Sequence, residues 1–276
     1  MRYVSYLVDH QRHVGEARGD NLVPLVGIDA IQPGIGSREL AQAARDETAA
    51  IGRGAVLILP VVPSPRRVIC IGLNYRSHIK ETQRADSDYP VLFPKFASSL
   101  IGAHDDILMP LESIQVDYEG ELAVVIGAAG RRIRQEDAES HVLGYAVAND
   151  VTMRDYQYKT HQWMQGKAWD GSTPIGPEIV TPDEVDLPSA GIRTWVNGEK
   201  VQDSDLSRLI FPIPKLIATI SEFTRLEEGD IILTGTPGGV GFRRDPQLFL
   251  HPGSTVVVEI DGVGRLESQV VQEELS

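Results

Sequence analysis

The sequence predicts an α+β fold that is mainly β. Two observations carry the prediction: short apolar runs recur between Gly and Pro punctuation, and the regular alternation of strand and long helix that marks doubly wound sheets is missing. Residues 4–8 and 22–25 read as short strands joined by Gly- and Asp-rich turns. Ser37 then offers an N-cap for a helix running to about residue 50 and ending at Gly52. The stiff stretch Val61-Val62-Pro63-Ser64-Pro65 follows. It marks a boundary between a small N-terminal α/β unit, residues 1–62, and a main domain, residues 63–276. In the main domain, strands are predicted at 69–72, 121–126, 144–148, 192–196, 231–234 and 256–260, and helices at 136–141 and 214–223. Asn197-Gly198 signals a tight hairpin, because this pair readily takes the positive φ angles that such a turn needs. There is no internal repeat or low-complexity tract.

The chain has 276 residues, enough for one large core or for a large and a small domain. Its 26 basic and 39 acidic residues leave a formal charge of −13, which argues against nucleic acid or an anionic membrane as partner. A small anionic substrate stays open, since a bound cation and local Lys or Arg can reverse the sign within one pocket. The single cysteine, Cys70, reads as a buried apolar filler in Val68-Ile69-Cys70-Ile71, so no intrachain disulfide forms. The N-terminus has no apolar stretch long enough for a signal peptide, and no run reaches membrane-spanning length. A cytoplasmic location is the resulting expectation.

The run Asp117-Tyr118-Glu119-Gly120-Glu121-Leu122-Ala123-Val124-Val125-Ile126-Gly127 places two carboxylates at the mouth of an apolar strand. Alternate side chains of a strand share a face, so Glu119 and Glu121 project together. Half-buried anions at that spacing take up a proton or hold a cation. The competing reading is a solvated edge strand whose acids blunt self-pairing. Asp150 closes a second apolar strand and supplies a third oxygen donor. A carboxylate-only set suits Mg²⁺ or Mn²⁺ over zinc, with Ca²⁺ admissible in a wider cavity.

Other segments also carry chemistry. His78 and Glu81, three residues apart, can meet on a helical turn, where the carboxylate would orient the imidazole as a general base; a surface ion pair is the plain alternative. Lys167, among glycines and Trp169, can enter a pocket or snorkel at the surface. Arg154 and Gln157 follow Asp150 by four and seven residues and would share its face on a helical continuation. The turn Gly235-Thr236-Pro237-Gly238-Gly239 fails the phosphate-loop and dinucleotide patterns. It reads as a tight turn whose amides and Thr236 hydroxyl can approach a ligand.

In order, GLNYRSH with Glu81, DYEGELAVVIG, NDVTMRDYQ, GKAWDG with TPIGP, VNGE and LTGTPGGVG resemble the fumarylacetoacetate hydrolase family over residues 65–265. The resemblance implies a mixed β-sandwich roll, often a homodimer, with Mg²⁺ or Mn²⁺ in its pocket. It makes Glu119, Glu121 and Asp150 the metal ligands, and His78 with Glu81 the catalytic pair in a segment that closes as a lid. Lys167, Gln157 and Thr236 would hold the carboxylate and keto oxygens of a small anionic 2-oxo acid, with Arg154 a further contact. Many relatives carry Ser-Phe or Gly-Phe after the motif lysine where this chain has Ala168-Trp169, so the pocket wall there is expected to differ. The function this implies is metal-dependent hydrolysis of a carbon–carbon bond in a fumarylpyruvate-like acylpyruvate, giving pyruvate and a carboxylic acid in aromatic catabolism. In that reaction Lys167 would help stabilise the leaving pyruvate enolate. The alternatives are oxaloacetate decarboxylation and keto–enol isomerisation of a ring-cleavage product such as 2-hydroxyhepta-2,4-diene-1,7-dioate. More remote is a metal-binding protein without catalysis.

Overall fold

The strands Gly120–Ile126 and Val142–Asn149 are buried at every residue, which happens only when both faces of a sheet are covered. A computed structural model describes residues 1–82 and 88–274 and shows how they are covered. These two strands lie near the centre of the larger sheet. Its order is Ile51–Gly52, Asn21–Pro24, Gln11–Arg18, Arg2–Val8, Thr173–Val180, Val142–Asn149, Gly120–Ile126, Ile231–Leu233, Val68–Gly72, Val91–Lys95. Neighbours along this path are antiparallel except Ile231–Leu233 with Val68–Gly72, which are parallel. On one face Leu122, Val124 and Ile126 pack against Leu216, Ile217 and Ile220 of the helix Ile213–Phe223 and against Val258, Ile260 and Leu266 of a second sheet. On the other face Ala123 and Val125 join Cys70, Leu233, Val14 and Leu40. The second sheet runs Glu199–Asp205, Gly191–Val196, Thr255–Ile260, Gly264–Gln272, Ile107–Met109. The chain is therefore mostly β, with open sheets layered over a shared core.

The Asn-Gly hairpin forms as predicted, with Asn197 at φ 50° and Gly198 at φ 83° joining Gly191–Val196 to Glu199–Asp205. The helix expected from Ser37 to about residue 50 is shorter, Ser37–Gln42, with Gly36 in the N-cap position. Only Leu40 of that helix is buried, too little apolar surface to extend it. The Arg45 guanidinium then takes up the carbonyls of Leu40 and Ala41 while pairing with Glu16 at 2.8 Å. Helices expected at 136–141 and 214–223 are the 3₁₀ segment Gln135–His141 and the helix Ile213–Phe223. The first 62 residues contribute strands to the larger sheet, where Arg2–Val8 lies beside both Thr173–Val180 and Leu57–Ile58. They also form a small apolar cluster of Val4, Tyr6 and Leu22.

Candidate active site

The edge-strand reading of the acidic run is overturned, because Gly120–Ile126 lies between two partner strands and Glu119 and Glu121 are 5% and 1% exposed. Strand pairing brings the third carboxylate to them. Gly120 faces Asn149, so the two strand ends finish side by side. The Glu119 amide donates to Asn149 Oδ1 at 2.9 Å, and the Asp150 amide donates to the Glu119 carbonyl at 2.8 Å. One oxygen from each of Glu119, Glu121 and Asp150 then lies within 4.8 Å of the others. A buried set of three hard oxygen donors fits a divalent cation such as Mg²⁺ or Mn²⁺.

Cations of the chain brace these acids. Lys167 Nζ is 2.6 Å from Glu119 Oε2 and 2.8 Å from Asp150 Oδ2, and Lys95 Nζ is 2.6 Å from Asp150 Oδ1. Arg154 Nε donates to Asp117 Oδ2 at 2.8 Å and Nη1 to Gln157 Oε1 at 2.9 Å. Its Nη2 lies 2.8 Å from Glu119 Oε1 as an ion pair, out of line for a hydrogen bond. Burial raises the Glu119 carboxyl, but the Lys167 and Arg154 charges outweigh it and hold the group at about 2. Glu121 makes no ion pair among the described residues; burial, then the Asp150 and Glu119 anions, push it well above the usual range, outweighing the Lys167 charge. Lys167 is driven up, because the Asp150 and Glu119 charges overcome the cost of burying its ammonium.

Lys167 is not a snorkelling surface residue: it is 1% exposed. Gly166 makes this possible, since a Cβ there would fall 2.5 Å from Gln157 Cα and force the turns Arg154–Gln157 and Met164–Lys167 apart. The helical continuation expected from Asp150 is corrected by the bridge strand Thr152–Met153, which precedes the turn Arg154–Gln157. Arg154 and Gln157 share that turn, while Asp150 remains on the strand end.

His78 and Glu81 sit on the helix Arg76–Thr82, with Nδ1 and Oε1 2.7 Å apart and His78 only 7% exposed, so the surface-pair reading fails. The glycine-dense turn holds this pair in place. Gly239 N donates to Glu81 Oε2 at 2.8 Å, Gly238 N to Ser77 Oγ at 3.1 Å, and Gly235 N to Glu121 Oε2 at 2.8 Å. Gly239 has φ +105°, and a Cβ there would lie 2.2 Å from the Val201 carbonyl. The Thr236 hydroxyl lines the cleft, donates to the Gly120 carbonyl at 2.9 Å and accepts from Gln202 Nε2 at 2.8 Å.

Around these groups lies a partly open cleft. His78, Glu119, Glu121, Arg154, Gln157, Lys167 and Thr236 all line it, with Asp150 against Lys167 and Glu81 behind His78. The wall beside Lys167 is not Ala168-Trp169, as expected from the departure in that motif. It is Phe93, whose ring centre is 5.0 Å from Lys167 Nζ and which meets Trp163 edge-on. Trp169 instead packs edge-on against Tyr156. Sequence reasoning passed over Lys95, a lone cation ending an apolar strand, and Asp117, the first acid of a run read for its other two. It also gave no reason to place Tyr158, Phe242 and Arg243 at the cleft.

A sequence profile described as "Fumarylacetoacetate (FAA) hydrolase C-terminal" matches residues 67–271. The chain is 41% identical over 266 residues to an oxaloacetate tautomerase of Xenopus laevis, named as mitochondrial, covering 92% of this chain and 83% of that one. Among solved structures it is similar to a fumarylacetoacetate hydrolase from psychrophilic Exiguobacterium antarcticum, with TM-score 0.87, 35% identity, and 99% and 100% of the two chains covered. It is also similar to a 5-carboxymethyl-2-hydroxymuconate delta-isomerase from Mycobacterium smegmatis, with TM-score 0.84, 31% identity and the same coverage. The chain belongs to the fumarylacetoacetate hydrolase family.

Proposed function

We propose that the protein is a divalent-metal-dependent tautomerase that interconverts the keto and enol forms of oxaloacetate or a closely related 2-oxo acid. The observation that carries this reading is a buried oxygen triad within the same cleft as a carboxylate-oriented imidazole. The names of the tautomerase and isomerase relatives favour proton transfer over the carbon–carbon hydrolysis expected from sequence. Mg²⁺ or Mn²⁺ held by Glu119, Glu121 and Asp150 would supply Lewis-acid polarisation of the 2-oxo group. The chain's own residues do the rest. His78 Nδ1 is occupied by Glu81, which leaves Nε2 to take the proton from the carbon beside the carbonyl and return one to the oxygen. Glu81 stabilises the imidazolium formed in between, and Lys167 offsets negative charge developing on the enolate oxygen.

The test follows the enol absorbance of oxaloacetate with protein loaded with Mg²⁺ or Mn²⁺. Acceleration that disappears on chelation, and a fall of about 10²- to 10⁴-fold in His78→Ala with Mn²⁺ binding retained, are the expected results. A second reading, hydrolysis of an acylpyruvate, draws on the name of the Exiguobacterium relative. Acylpyruvate cleavage without tautomerisation would replace the first reading with the second.

A further inference from the structure

Among the described residues three Lys or Arg side chains line the cleft, Arg154, Lys167 and Arg243, and two of them are already committed to the protein's own acids. Arg243 is not. It is exposed at the mouth, and among the described residues its guanidinium makes no ion pair, resting only 5.0 Å over the Phe242 ring.

Charge counting shows what such a group is free to do. The inner cluster holds four buried carboxylates, Asp117, Glu119, Glu121 and Asp150, against three buried cations, Lys95, Arg154 and Lys167, a net of −1 when all are ionised. Glu81, against His78, adds a further carboxylate beside this cluster. A divalent ion bound there would offset this excess of negative charge. Among the described residues, a second carboxylate on the substrate would find no uncommitted cation inside.

The backbone under Arg243 is fixed relative to the metal-ligand strand. The turn Gly241–Arg243 donates Gly241 N and Phe242 N to Asp117 at 2.8 and 2.9 Å. The same carboxylate accepts from Arg154 Nε, and Arg154 in turn braces Glu119. A Cβ on Gly241 would lie 1.8 Å from the Leu248 carbonyl, so glycine is required for this approach. Tyr158 stacks on Phe242 at 5.2 Å, closing the other side. The anchor is thus rigid while the guanidinium tip stays free to meet a ligand.

We propose that Arg243 receives the distal carboxylate of a dicarboxylic 2-oxo acid and thereby sets a preference for dicarboxylates over monocarboxylic 2-oxo acids. This rests on the reading of the cleft as a 2-oxo acid site. The test uses the full Mn²⁺-loaded chain as wild type, Arg243→Gln and Arg243→Lys. Enol-oxaloacetate serves as the dicarboxylate and phenylpyruvate as the monocarboxylate, the latter as substrate or competitor, and oxalate binding is read by calorimetry. In Arg243→Gln the KM for oxaloacetate rises about tenfold, as for loss of one charge-assisted hydrogen bond, with kcat, phenylpyruvate and oxalate affinity little changed. Arg243→Lys recovers part of the loss. Wild-type oxalate binding together with an unchanged KM in Arg243→Gln, or with equal weakening of both acids, overturns the role of Arg243 alone. A wild type that neither binds oxalate nor turns over any 2-oxo acid overturns the parent reading and this role with it.

Discussion

Glu121 is the least supported acid of the cluster. Among the described residues its one hydrogen bond comes from Gly235 N, and two more carboxylates lie beside it. Burial and those anions raise its folded pKa above the ordinary 4.5. Its contribution to the stability of the metal-free protein is therefore whole below that value and is lost as pH rises through the folded value. Glu119 runs the other way: held at about 2, it contributes above its ordinary 4.5 and loses that contribution as pH falls. Chelator-treated Glu121→Gln should then outlast wild type at pH 8 by about 1–3 kcal/mol and match it near pH 4, measured by thermal or denaturant unfolding. It should also gain nothing from added Mn²⁺. A chelated wild type that is the more stable of the two at pH 8 would contradict the isolation of this carboxylate. Calorimetry in buffers of differing ionisation enthalpy should further show proton release when wild type takes up Mn²⁺.

Single elements place the dyad. The turn after Ile231–Leu233 joins the triad to the helix Arg76–Thr82, since Gly235 N holds Glu121 and Gly239 N holds Glu81. Gly239→Ala puts a Cβ against the Val201 carbonyl at a φ that side chains rarely adopt. It is expected to cost about 1–3 kcal/mol and to lower kcat, with Mn²⁺ affinity much less affected, as checked by unfolding and calorimetry side by side. Unchanged turnover in a folded variant would mean that the dyad does not need this support. Strands buried on both faces were readable as continuous apolar runs, and 121–126 is the clearest case. Gln11–Arg18 was not, because its sequence is mostly polar and only Val14 and Gly15 are buried. Thr173–Val180 was hidden by Pro174 and Pro177, yet it sits inside the larger sheet. The motif spacing at 78 and 81 held because both residues lie on one helical turn. The spacing from Asp150 to Arg154 did not, because a bridge strand intervenes.

Across the molecule, the N-terminal strands continue the larger sheet. Arg2–Val8 pairs with Thr173–Val180, and Arg2 and Arg53 both pair with the buried Glu178. A chain starting at residue 63 would leave that strand edge open and Glu178 without either partner, so it should aggregate or lose cooperative unfolding. Size-exclusion chromatography and a melting curve decide it; a soluble, cooperatively melting truncate would mark residues 1–62 as a separable unit. What the sequence alone determined is local: a period of two sets Glu119 and Glu121 on one face, one helical turn sets His78 against Glu81, and Asn197-Gly198 sets a hairpin. Tertiary structure decided which charges are spent and which are free. Lys95, Asp117, Arg154, Lys167 and Arg243 come from five separate segments, and ion pairing depends on distance through space, which no spacing along a chain encodes.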